Sequence, residues 1–128
     1  MKDETEKWLQ YADENLQSAK MLLEGSLFNP CLQNVQQTVE KLLKALLIEF
    51  SLTFMKTHSI NALTGALSLG GINIDISAEE CDLLDSVYLP SKYPLGSVLP
   101  NFEPDLNVCK QCMDIAGKVR NSVASYLR

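Results

Sequence analysis

The chain has 128 residues, 46% of them hydrophobic, which suffices for one domain with its own core and leaves too little for two. Sixteen acidic against eleven basic residues give a net charge of −5 and a pI near 4.8, whereas nucleic-acid binders carry a basic face and a pI above about 9; nucleic acid is therefore a poor partner. The apolar stretch Leu42 to Phe50 is interrupted by Lys44 and Glu49, far short of the roughly 20 apolar residues of a membrane span, and the acidic opening Met1-Lys2-Asp3-Glu4-Thr5-Glu6 has no secretory character, so the expected location is the cytoplasm.

Trp8, Ala12, Leu16, Ala19 and Leu23 recur at helical spacing, predicting a first helix over about 3–24 that Gly25 caps at its C-terminus. Asn29-Pro30, a cap residue followed by a first-turn proline, predicts the start of a second helix that runs to about Leu52. At about 100° per residue, Val35, Val39, Leu42, Leu43, Leu46 and Phe50 share one arc, and Gln33, Gln36, Gln37, Glu40, Lys41 and Lys44 share the other. The second arc is expected to lie outside the core.

Thr57-His58-Ser59 opens a shorter third helix through Leu69 that Gly70-Gly71 stops. Ser77 and Glu80 form a capping-box pattern at the head of a fourth helix reaching about Tyr88. Pro90, Pro94, Pro100 and Pro104 then fall close together, predicting an irregular connection that carries Tyr93 and Phe102. Leu106, Cys109, Met113, Ala116, Val119, Val123 and Leu127 trace a last helix. Ile72 to Ile76 alternates like a strand but has no partner strand. The fold class is therefore all-α: an up-and-down bundle of four to five helices, with a long proline-rich connection before the last one, in a single domain over 1–128.

Four cysteines, Cys31, Cys81, Cys109 and Cys112, are read as free thiols in a reducing compartment. Cys109-x-x-Cys112 has half of a zinc spacing, but it sits in an amphipathic helix and the other two are isolated, so no metal is expected. No glycine-rich phosphate loop, catalytic carboxylate pair or Ser/His/Asp set is recognisable, and no cofactor is expected.

Four segments together resemble the HEPN domain (higher eukaryotes and prokaryotes nucleotide-binding), of the small stand-alone prokaryotic type. They are Trp8-x-x-x-Ala12-x-x-x-Leu16-x-x-Ala19, then Gln36-Gln37-x-Val39-Glu40-Lys41-x-Leu43-Lys44-Ala45-Leu46-Leu47, Lys56-Thr57-His58-x-Ile60-x-x-Leu63, and Leu84-Asp85-x-x-Tyr88-x-x-x-Lys92-Tyr93-Pro94. Asn15, Ser59 and Lys92 depart from it, standing where acidic residues and an arginine are usual. The resemblance implies a helical bundle that often forms homodimers, sometimes beside a minimal nucleotidyltransferase that it binds. It further implies two activity classes: metal-independent ribonucleases with Arg, four to six residues, then His in the final helix, and members without that motif that bind nucleotides or a nucleotidyltransferase. Here the final helix reads Arg120-Asn121-Ser122-Val123-Ala124-Ser125-Tyr126-Leu127-Arg128, without the histidine. RNA cleavage through a 2′-hydroxyl needs a group that exchanges a proton near neutral pH. The expected function is thus a binding domain more than an enzyme: a homodimer taking a nucleotide or a nucleotidyltransferase. The alternatives are a divergent, toxin-like ribonuclease using Arg120 with His58 or Ser125, and a purely structural dimerisation module.

The candidate ligand- or partner-binding residues are Gln37, Glu40, Lys41, Lys44, Lys56, His58, Tyr88, Lys92 and Tyr93. Each also has a plainer reading. Glu40 and Lys44 form an i,i+4 pair worth about 0.3–0.5 kcal/mol on a solvated face. His58 either bonds backbone at the head of helix three or joins Lys56 in holding an anion at that helix N-terminus, where free amides favour negative charge. Tyr88 and Tyr93 either bury their rings with wet hydroxyls or form a stacking edge. No catalytic residue and no metal ligand are assigned.

Overall fold

The computed structural model describes residues 1–92 and 103–127, side chains excepted at 89–92. Five helices follow one another: α1 (Asp3–Glu24), α2 (Phe28–Glu49), α3 (Ile60–Leu69), α4 (Ala78–Lys92) and α5 (Leu106–Tyr126). There is no strand among the described residues, and the all-α bundle expected from periodicity is what forms. The alternating stretch 72–76 is instead irregular, pinned to α5 by the Tyr126 hydroxyl on the amide and carbonyl of Asn73 and by Ser122 Oγ on the amide of Asp75.

α1 and α2 form an antiparallel hairpin. The Thr5 hydroxyl and the Lys2 amide both donate to Glu49 Oε1, and Asn15 Nδ2 donates to Asn34 Oδ1 midway along. The turn between them is a Schellman motif in which Ser26 N donates to Leu23 O and Leu27 N to Leu22 O. Gly25 is the C-cap, as its position suggested, but the left-handed residue is Ser26, at φ 58°. The same closure recurs after α2, with Ser51 at φ 54° and Leu52 N on Leu47 O, and after α3, with Gly71 at φ 83° and Ile72 N on Leu67 O.

Two boundaries differ from expectation. α2 begins at Phe28 with Leu27 as its N-cap and no capping side chain, so Asn29-Pro30 lies inside the first turn. α4 continues through Pro90 to Lys92. The expectations for Tyr93, Pro94 and Phe102 lie outside the described residues.

All four other helices pack on α2, which is therefore the axis of the bundle. Leu32, Val35, Val39, Leu43, Leu46 and Leu47 are fully buried along it, joined by Ala12 and Ala19 of α1, Leu63 and Leu67 of α3, Leu84 and Val87 of α4, and Ala116 and Val119 of α5. Each buried leucine or valine contributes about 1.5–3 kcal/mol of transfer free energy. Phe50, placed on this arc by its spacing, is 43% exposed because it is the C-cap residue, where the chain turns out of the helix.

Candidate functional site

The position of α2 overturns the expectation that its polar arc faces solvent. Gln36, Glu40 and Lys44, four residues apart, are 0%, 3% and 6% exposed. Along this line of the arc α2 is covered, while Gln33, Gln37 and Lys41 beside it stay half-buried, so the covered polar side chains must find partners within the protein. They do. Lys44 Nζ donates to Glu40 Oε2 at 2.9 Å, and His58 Nδ1 lies 2.8 Å from Glu40 Oε1. Gln37 Nε2 donates to Gln36 Oε1 at 2.9 Å and more loosely to Glu40 Oε1 at 3.4 Å, while Gln36 Nε2 donates to the His58 carbonyl at 2.7 Å. The Lys44 ammonium lies 5.9 Å from the Trp8 ring centre and 5.7 Å from that of Phe54, within reach of a cation–π attraction. Among the described residues no buried side-chain nitrogen or oxygen lacks a partner.

The stripe therefore works from inside, by holding the segment between α2 and α3. His58 is fixed at its carbonyl by Gln36 and at its ring by Glu40, and its ring stacks on Tyr88 with centres 5.2 Å apart and planes 26° from parallel. Its side chain is nevertheless 59% exposed. With Thr57, Ser59, Asp85 and Tyr88 it lines an open depression of about 330 Å³.

Sequence reasoning missed Asp85. Its Oδ1 accepts from Ile60 N at 2.6 Å, and its Oδ2 accepts from Ser59 Oγ, Asn61 N and Asn61 Nδ2 at 3.1, 3.2 and 2.9 Å. Ser59 Oγ in turn accepts from Ala62 N. The amides opening α3 are thus occupied by an internal carboxylate and a hydroxyl, which corrects the reading of that N-terminus as a seat for an external anion. Asp85 stood in the family-like segment Leu84-Asp85-x-x-Tyr88 without a role, because a cap supplied from another helix leaves no local spacing.

Lys41 and Lys44, read as one stripe, are separated: Lys44 is buried against Glu40. Lys41 is half-buried on the α1 side, where its Nζ donates to Asn15 Oδ1 at 2.6 Å. Lys56 is exposed next to the His58 segment. Lys92 ends α4, and neither its side chain nor Tyr93 belongs to the described residues. Arg120 pairs with Asp13 through Nε and Nη2 at 2.9 and 3.3 Å and lines a different depression between α1 and α5 with Lys20 and Gly117. Ser125 Oγ donates to the Ser122 carbonyl of its own helix. Within one chain, Arg120, Ser125 and His58 are not assembled around one opening.

All four cysteines are free and buried. Burial pushes the Cys109 and Cys112 thiols up to about 12 and raises Cys31 and Cys81 as well. Thiols so held are core hydrophobes and not nucleophiles. No group of three or more His, Cys, Asp or Glu side chains is arranged to hold a metal ion among the described residues.

Comparison with known proteins agrees with the geometry. The chain superposes on a crystal structure of a protein from Thermus thermophilus with a TM-score of 0.79 at 23% identity, covering 97% of this chain and 98% of that one. It superposes on the crystal structure of an archaeal HEPN homologue with a TM-score of 0.74 at 24% identity over the full length of both. At such identities the likeness speaks for the fold. No curated protein matches the chain. The family model of the HEPN domain matches residues 5–126, all five helices included, and the chain belongs to the HEPN domain family.

Proposed function

We propose that this HEPN chain is a binding domain that acts as a homodimer and engages a nucleotide, or a nucleotidyltransferase carrying one, through the depression around His58 and Tyr88. The observation that carries this reading is an imidazole anchored from beneath by a buried carboxylate yet 59% exposed at the mouth of an open depression. Rigid aromatic and polar groups at a concave surface are what a small-ligand site needs. Exposed Lys56 is the cation nearest in sequence to receive phosphate charge; Lys44 drops out of the contact set because Glu40 neutralises it inside the protein. Gln37, Glu40 and Lys44 serve the site by positioning, and Lys41 belongs to the α1 face.

The ribonuclease alternative gains nothing from this arrangement, since Arg120 is held by Asp13 and lies in the other depression. Calorimetric titration with the four nucleoside triphosphates, with and without the nucleotidyltransferase, is the test. Binding with a Kd on the order of micromolar, about −8 kcal/mol, is expected, and His58→Ala should weaken it. No heat from any nucleotide and none from the partner would remove the reading. Sedimentation of the intact chain tests the dimer independently.

A further inference from the structure

We infer that His58 is a proton-accepting histidine whose Nε2 is the working atom of the depression, with Glu40, itself paired with Lys44, as its positioning residue. The ligand class this selects is a small protic molecule that presents an O–H or N–H to Nε2.

The argument begins with Glu40. Its carboxylate is 4% exposed and receives the Lys44 ammonium at 2.9 Å on one oxygen, with the second oxygen turned to the His58 ring, 2.8 Å from Nδ1. An ionised carboxylate accepts hydrogen bonds and cannot donate them, so the proton of the neutral imidazole must reside on Nδ1. The lone pair is then on Nε2. Nδ1 is the ring atom that faces the buried carboxylate, while the ring is 59% exposed and lines the depression with Thr57, Ser59 and Asp85. Nε2 has no hydrogen-bond partner among the described residues.

The ring cannot easily turn over to present the other nitrogen. Tyr88 stacks against one face, Glu40 holds the Nδ1 edge, and the Gln36 amide fixes the carbonyl of the same residue at 2.7 Å. A histidine on an open surface would exchange tautomers, and its usual preference would be set by water and not by one buried oxygen. When Nε2 takes a proton, the Nε2–H bond forms as the ligand O–H or N–H bond breaks, and the electron pair of that bond stays on the ligand. The positive charge left on the ring then sits 2.8 Å from Glu40. A carboxylate placed behind a histidine in this way both fixes the tautomer and stabilises the imidazolium. Asp85 is not the partner of this atom, because its two oxygens are committed to the head of α3.

This deepens the reading of the depression as a ligand site, but its test uses no nucleotide, so failure of nucleotide binding and failure of the tautomer assignment are separate results. The chain contains a single histidine, which leaves one imidazole to assign. Long-range nitrogen–proton correlation spectra of the intact, nitrogen-15-labelled protein above the titration of the ring should show the Nδ1–H form alone, and diethyl pyrocarbonate should acylate Nε2. Glu40→Gln, and the milder Glu40→Asp if that variant does not fold, report on positioning. Glu40→Gln should return a tautomer mixture and slow the acylation by roughly tenfold, the scale on which such partners act, and Glu40→Asp should recover part of the rate. An Nε2–H tautomer in the unaltered protein, which requires no variant to fold, would overturn the inference, as would an acylation rate indifferent to Glu40.

Discussion

The carboxylates of this protein differ in what they hold, and the differences can be measured one side chain at a time. Asp85 receives two backbone amides and two side chains at the head of α3, so Asp85→Ala should lower stability by about 1–2 kcal/mol, the range for loss of a capping side chain, as read by urea unfolding. Glu80 works locally: its Oε1 accepts from Ser77 N and from Lys118 Nζ while Ser77 Oγ accepts from Glu80 N. The Lys118 hydrogen bond first, and the Ser77 amide next, hold its carboxyl below the ordinary 4.5. A depressed folded-state value means that its contribution is complete above that pH and is lost as pH falls through the depressed value. Glu80→Gln should therefore flatten the acid side of the melting-temperature profile below pH 4.5 and lower the melting temperature by a constant amount above it, where the carboxylate contribution is complete. The capping box of Ser77 and Glu80 was legible in the sequence because both members lie within one turn. Asp85 was not, because its partners are 24 to 26 residues away.

At the scale of elements, apolar periodicity located all five helices because each has a face that must leave water. The ends of α1, α2 and α3 are set by a repeated closure in which a left-handed residue and an apolar residue follow the last turn. Only after α3 is that left-handed residue a glycine; after α1 and α2 it is Ser26 and Ser51. Left-handed backbone costs a residue with a Cβ about 1–2 kcal/mol. Ser26 is exposed, so Ser26→Gly should relieve much of that and raise stability by roughly 1 kcal/mol after the entropy of the added glycine is deducted, measured by thermal or urea unfolding. The Gly25 signal pointed to the right turn and to the neighbouring residue. Ile72 to Ile76 carried a strand-like alternation, yet with no second strand its backbone groups bond to Tyr126 and Ser122 instead.

For the molecule as a whole, the decisive fact is that α2 touches every other helix. Sequence projection divided it into an apolar and a polar arc, which is sound for a helix at a surface. Its other signal is that Leu42, Leu43, Ala45, Leu46 and Leu47 spread over about 200° of the helix at 100° per residue, wider than the apolar stripe of a surface helix. Gln36, Glu40 and Lys44 could not be read as interior groups without knowing which residues would meet them, and those partners come from the chain around His58 and from Trp8 and Phe54. The candidate site was legible as a list of polar identities. Its division into a buried positioning set and an exposed histidine was not, because that division depends on how the helices assemble. The account stands on Glu40 and Lys44 being a buried pair in place of a solvated one, and equilibrium unfolding of Glu40→Gln beside the double variant Glu40→Leu, Lys44→Met tests it most directly. The single change should cost about 3–5 kcal/mol, since it strands the lysine charge in the interior, and the double change should recover most of that loss. A single-variant loss under about 0.5 kcal/mol, as for an exposed i,i+4 pair, would contradict it.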